Sequence, residues 1–241
     1  MVLKAVLFDF NGVIINDEAV HEQLIEQLLI EENLRLGPGE FSRVCLGRSD
    51  RACLSELLNS RGRVVTEPYL MDLMVRKARA YQRHLETLEK LPLYPGLADL
   101  MFNLRAAQLK LAVVSGALQA EIELVLQKSQ LAPYFSAIVA GDEITASKPE
   151  PDGYLLAVDR LNQQYPELDL QPSECLAIED TPAGIQAAKR AGMSVVGVAN
   201  TYPFHMMQRQ ANWAVDYLSD LELDRVQELY AQPNLSQAAS L

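Results

Sequence analysis

Apolar residues along this chain recur with two different periods. Val2-Leu3-Lys4-Ala5-Val6-Leu7-Phe8 is a short run with β-branched and aromatic members, the pattern of a buried strand. Comparable runs occupy residues 109–116, 137–140, 175–178 and 194–198, with a shorter one at 213–215. Between them the apolar spacing turns helical, over residues 97–107, 118–128, a segment ending near Gln164, one opening at Pro182-Ala183-Gly184 and one from Leu221. Strands alternating with helices predict a mostly parallel, doubly wound α/β sheet. Asp9 follows the first strand directly, and ligands of such sheets gather outside the carboxyl ends of the strands.

Residues 16–90 break the alternation. Asn16 or Asp17 is a candidate cap for a helix carrying Val20, Leu24, Ile25, Leu28 and Leu29 up to Leu34, and Gly37-Pro38-Gly39 ends it. A shorter segment runs to Val44. Ser49 or Asp50 is a candidate cap for a helix with Leu54, Leu57 and Leu58 inside. Residues 67–88 read as a long amphipathic helix with Leu70, Leu73, Met74, Ala78, Tyr81 and Leu85. No strand pattern intervenes, so 16–90 is expected to be an all-α insert in a core built from 1–15 and 91–241. The small, polar tail 233–241 is expected to be loose.

Charge narrows the partners. A net charge of −11 argues against nucleic acid, while a local positive pocket still allows a small anion. No apolar run is long enough to span a membrane and the first residues lack a signal-peptide pattern, so a cytoplasmic protein is expected, and a monomer. The cysteines Cys45, Cys53 and Cys175 are odd in number and lack metal-ligand spacing, and all three are expected to be reduced.

Polar groups stand at four strand ends or in the loops that follow: Asp9, Ser115, Lys148 and the pair Glu179-Asp180. Each alone is ordinary. Together, the motifs Asp9-Phe10-Asn11-Gly12-Val13, Val113-Val114-Ser115-Gly116, Ser147-Lys148-Pro149 and Glu179-Asp180-Thr181-Pro182-Ala183-Gly184 resemble the four motifs of the haloacid dehalogenase superfamily. Within it the chain is similar to the β-phosphoglucomutase-like phosphatases. The resemblance implies strand order 5-4-1-2-3, a Rossmann-like core and a helical cap that closes over the site.

It also implies a chemistry. Asp9 would attack phosphorus and form an aspartyl-phosphate, dividing one hard step into two. Mg²⁺, held by Asp9, the backbone carbonyl of Asn11 and Asp180, with Glu179 reached through water, would offset the repulsion between carboxylate and phosphate. Lys148 would add a positive charge, and the Ser115 hydroxyl with the backbone at Gly116 would take another phosphate oxygen. The substrate would be a small phosphorylated metabolite, a sugar phosphate being expected.

Asn11 departs from the pattern, because the family phosphatases carry an aspartate there as general acid and base. An amide cannot exchange a proton at physiological pH, and such help is worth roughly 10²–10⁴ in rate. In the insert, His21, Lys77 and the loop Gly47-Arg48-Ser49-Asp50-Arg51 resemble cap elements that read the substrate. Asp50 stands where β-phosphoglucomutase places a phosphate-gripping arginine, with Arg48 and Arg51 beside it. Three readings follow: a Mg²⁺-dependent phosphohydrolase, a phosphoglucomutase-type phosphotransferase, or a weakly catalytic binder of phosphate esters.

Overall fold

Strand β1 (Ala5–Phe8) lies in the middle of a parallel sheet and sends its side chains alternately to the two faces. Val6 and Phe8 join the apolar layer on one side, Ala5 and Leu7 that on the other. The computed structural model describes residues 2–232, so the tail 233–241 lies outside the described residues. The remaining strands are β2 (Lys110–Val114), β3 (Ala137–Val139), β4 (Cys175–Glu179), β5 (Ser194–Val198) and β6 (Trp213–Val215). Their order is β3-β2-β1-β4-β5-β6. The expected order of five strands is present, and β6 extends it beside β5.

Helices α1 (Glu18–Glu31), α2 (Glu40–Val44), α3 (Asp50–Asn59) and α4 (Glu67–Thr87) all fall between β1 and β2. They enclose an apolar cluster of their own, with Ile25, Leu29, Leu54, Leu57 and Leu73 at its centre. The chain enters and leaves this helical insert along paired backbone: Ile15 bridges Leu93, and the Asn16 amide donates to the Pro92 carbonyl (2.8 Å). Helices α5 (Leu97–Ala106) and α6 (Gln119–Lys128) cover one sheet face, and α7 (Asp152–Gln164) and α8 (Pro182–Arg190) the other. Helix α9 (Phe204–Gln210) packs with the second group, and α10 (Leu223–Ala231) with the first. The apolar periodicity does not announce α9, because only Met207 of its seven residues is buried.

Helix entries separate the cap candidates. The Ser49 hydroxyl accepts the Ala52 amide (3.3 Å), whereas Asp17, although it precedes α1, makes no side-chain cap. The expectation of three reduced cysteines is corrected. Cys45 and Cys53 are joined in a disulfide, their Cα atoms 4.7 Å apart, and Cys175 alone is a buried free thiol. A turn after α2, in which the Arg48 amide bonds the Cys45 carbonyl (3.0 Å), folds Cys45 back onto the first turn of α3. That proximity depends on loop conformation, which a separation of eight residues does not reveal.

Candidate active site

Four adjacent strands deliver the strand-end groups to one place. Asp9 follows β1, and its Oδ1 accepts the Phe10 amide (2.7 Å) and pairs with Lys148 Nζ (2.9 Å). Lys148, from the segment after β3, also reaches Glu179 Oε1 (2.7 Å), which takes a further bond from the Tyr154 hydroxyl (2.5 Å). Asp180 Oδ2 accepts from the Thr201 hydroxyl. Carboxylate oxygens of Asp9, Glu179 and Asp180 lie within 4.8 Å of one another, all buried. Against three carboxylates there stands one ammonium.

This imbalance governs protonation. Burial, and then the charge of Asp9, push the Glu179 carboxyl up to about 7. Burial with Asp9 and Glu179 drives Asp180 upward as well. Burial works against the charge of Lys148, but Asp9 and Glu179 outweigh it and hold its pKa above the ordinary value. Glu179 Oε2 and Asp180 Oδ1 are buried with no hydrogen-bond partner among the described residues. Buried anionic oxygens without donors are costly. Two such oxygens beside a third carboxylate form a hard oxygen donor set that fits a divalent cation such as Mg²⁺.

Glycines set the two carboxylates in place. A Cβ on Gly12, whose φ is +78°, would lie 1.9 Å from Asp180 Oδ2, and one on Gly184 would lie 2.0 Å from the Glu179 carboxyl. The Thr181 hydroxyl accepts the Gly184 amide (3.1 Å) and so starts α8 directly behind the acidic pair.

A cavity of ≈ 50 Å³ separates these groups from the helical insert. Asp9, Asn11, Gly116, Ala117 and Lys148 form its core wall, while Glu18, His21, Gly47, Asp50 and Lys77 lie on the opposite wall. Ser115 is buried beneath, its hydroxyl accepting the Ala117 amide (3.0 Å). The insert touches the core closely at its substrate-loop candidate. The Ser49 amide donates to the Ser147 hydroxyl (2.8 Å), and a Cβ on Gly116 would lie 2.7 Å from the Arg48 carbonyl oxygen. A larger groove of ≈ 540 Å³ lies along α1 and α4, but no strand-end group lines it.

Not all the sequence candidates converge. Arg48 borders the cavity, yet its guanidinium turns away to the Val44 carbonyl (3.1 Å) and to Glu56. Arg51 lies outside, its guanidinium bonded to the Glu67 carboxylate and donating to the Met71 thioether Sδ (3.3 Å). Lys77 is almost fully buried between Asp50 (2.6 Å) and Glu121 (3.6 Å).

Asn11 has company that sequence reasoning missed. Its amide nitrogen donates to Asp17 (3.0 Å to Oδ1) and lies 3.0 Å from His21 Nε2. Asp17 also accepts from the Tyr81 hydroxyl, and His21 stacks on the Tyr81 ring with centroids 4.7 Å apart. A carboxylate thus stands next to the amide rather than at its position. Read as a helix cap, Asp17 concealed this role; its i, i+4 spacing from His21 was the available signal. Tyr154 and Thr201 carry no motif and reach the site only through the fold.

Comparison with known proteins agrees with this geometry. A family model described as haloacid dehalogenase-like hydrolase matches residues 3–192. The chain is 31% identical to the β-phosphoglucomutase of Bacillus subtilis over 95% of its own length and 96% of that protein's. It is 28% identical to the fructose-1-phosphate phosphatase YqaB of Escherichia coli, over 80% of this chain and 94% of that one. The crystal structure of β-phosphoglucomutase from Clostridium difficile superimposes with a TM-score of 0.80 at 23% identity, covering 96% of this chain and 98% of that one, a likeness of fold. No helix among the described residues is long and apolar enough to cross a membrane. With a matching family model and matching strand-end motifs, this chain belongs to the haloacid dehalogenase-like hydrolases, among the β-phosphoglucomutase-like members.

Proposed function

We propose that this protein is a Mg²⁺-dependent phosphohydrolase that cleaves a small sugar phosphate through a covalent intermediate on Asp9. The observation that carries this reading is the grouping of Asp9 with Lys148 and with two carboxylates whose outer oxygens lack partners. Hydrolases and mutases of sugar phosphates among the relatives support the substrate class.

Each residue then has a role. Asp9 forms a bond to phosphorus as the ester oxygen leaves, and water later breaks the acyl-phosphate bond to release inorganic phosphate. Lys148 steadies Asp9 and the incoming phosphate, and the backbone around Ser115 and Gly116 receives a phosphate oxygen. Asp9, Asp180 and the backbone carbonyl of Asn11 would hold the metal, with Glu179 acting through water, and the metal would supply positive charge to offset that of the phosphoryl group. Asn11 contributes no proton, so esters with poor leaving groups turn over slowly. A ligand pocket usually measures about 300–1,000 Å³. The cavity of ≈ 50 Å³ therefore requires the insert to part from the core before substrate enters.

The test is a phosphate-release screen over sugar phosphates with and without Mg²⁺, on the parent and on Asp9→Asn. Metal-dependent release from the parent, with a phosphorylated peptide containing Asp9 after rapid quench, is expected. Equal release by Asp9→Asn overturns the reading. Exchange between sugar phosphates without free phosphate would assign a phosphotransferase instead.

A further inference from the structure

The cavity's two walls treat charge differently. The core wall offers the Lys148 ammonium and open backbone to one phosphate, and its Gly116-Ala117 segment adds no further charge. The opposite wall carries Lys77, Arg48 and His21, with Arg51 outside it, and each is already matched, His21 by Asp17 (3.2 Å). Arg48 is bonded to Glu56 and Arg51 to Glu67, both on the outer surface. Lys77 is held by Asp50 from α3 and by Glu121 from α6, so two carboxyl groups share one buried ammonium, and burial pushes that of Glu121 above its ordinary value against the pull of Lys77. Burial opposes the charge of Lys77, but Asp50 and Glu121 keep its pKa above the ordinary value.

We propose that the Asp50–Lys77–Glu121 cluster excludes a second phosphate, making Asp50 and Glu121 specificity residues that select sugar monophosphates over bisphosphates. This rests on the phosphohydrolase reading above. A phosphate dianion at this wall would have to displace Asp50 from Lys77, whose ammonium Glu121 also holds from outside the cavity lining, in a space with little water to screen it. Desolvated like charges of this kind are a strong means of rejecting a wrong ligand. A hydroxylated, uncharged end meets no such barrier: sugar hydroxyls can donate hydrogen bonds to the Asp50 carboxylate, and Ile25 and Phe41 on the same wall can receive carbon atoms. Glu121 Oε1 has no hydrogen-bond partner among the described residues and lies 3.6 Å from Lys77 Nζ, which helps keep the ammonium committed to the cluster. Because Glu121 belongs to the core and Asp50 and Lys77 to the insert, the filter is complete only when the two are together.

The experiment compares kcat/KM, in Mg²⁺, for a hexose monophosphate and a hexose bisphosphate that share the same reacting ester. The parent is measured beside Glu121→Gln and Asp50→Asn. The parent is expected to favour the monophosphate by at least about tenfold, and each variant to narrow that ratio by about tenfold through the KM of the bisphosphate. Should Asp50→Asn fail to fold by circular dichroism, Glu121→Gln decides, since it keeps the shape and the Leu118 amide contact. A parent that hydrolyses the bisphosphate equally well, or variants with an unmoved ratio, overturns the filter and leaves the hydrolase reading intact. Absence of phosphate release from every ester overturns the hydrolase reading itself.

Discussion

The core wall of the cavity is short of positive charge, and the insert wall is self-sufficient. At the strand ends Asp9, Glu179 and Asp180 share Lys148, and two buried oxygens lack donors. Across the gap Lys77, Arg48 and Arg51 each have an acidic partner within the protein. A deficit that the chain does not correct marks where an external cation and a reacting group belong. Cations already paired with carboxylates of the chain are where the proposed filter would sort a ligand rather than transform it.

Removing metal breaks the comparison hardest. Chelation should abolish phosphate release, and Mg²⁺ at a hundredfold excess over its Kd should stabilise the parent by about 2.7 kcal/mol. Asp180→Asn should lose most of that thermal shift, while Arg51→Ala should keep it. An equal Mg²⁺ shift in Asp180→Asn would remove Asp180 from the metal site.

Asn11 and Asp17 give the next largest effect. An aspartate at position 11 would face Asp17 at hydrogen-bond distance, and two carboxylates so close share a proton. Asn11→Asp alone should therefore gain less than Asn11→Asp combined with Asp17→Asn. The double variant should raise turnover of poor-leaving-group esters by roughly 10²–10⁴. No gain in the double variant, with its fold intact, would mean that another group handles the proton.

A smaller effect is expected from Glu18, on the insert wall. Burial is the main cause that lifts its carboxyl to about 7, against an ordinary value of 4.5. Between those values the folded protein binds more protons than the unfolded chain, so this group's contribution to stability falls as pH rises and is lost above about 7. Glu18→Gln should be more stable than the parent at pH values above 7, with the difference fading toward 4.5. Denaturant titrations across that window, without Mg²⁺, check the sign. Least of all, Arg51→Ala should change KM for a sugar monophosphate by less than about threefold, because an exposed ion pair contributes little. A larger change would return Arg51 to the substrate.

The strand-end site was legible because β-strands encode their own ends. Apolar runs stop where Asp9 and Glu179-Asp180 begin, and a parallel sheet brings those ends together whatever the helices do. The insert was legible as helices but not as a surface. Arg48 and Arg51 read as anion ligands until the fold supplies Glu56 and Glu67, which lie eight and sixteen residues further on. The Cys45–Cys53 bond and the contact of Asn11 with Asp17 likewise depend on loop paths that periodicity does not carry.

The two glycines under the acidic pair have a consequence for how variation at this site should be read. Gly12 and Gly184 contribute no functional atom, yet the volume of one methyl group at either would collide with a carboxylate. In a saturation survey they should behave like the acidic residues themselves, tolerating no replacement, although nothing in their chemistry suggests a role. Here emptiness is a component of the site, and the space beside a carboxylate is as much a determinant of it as the carboxylate.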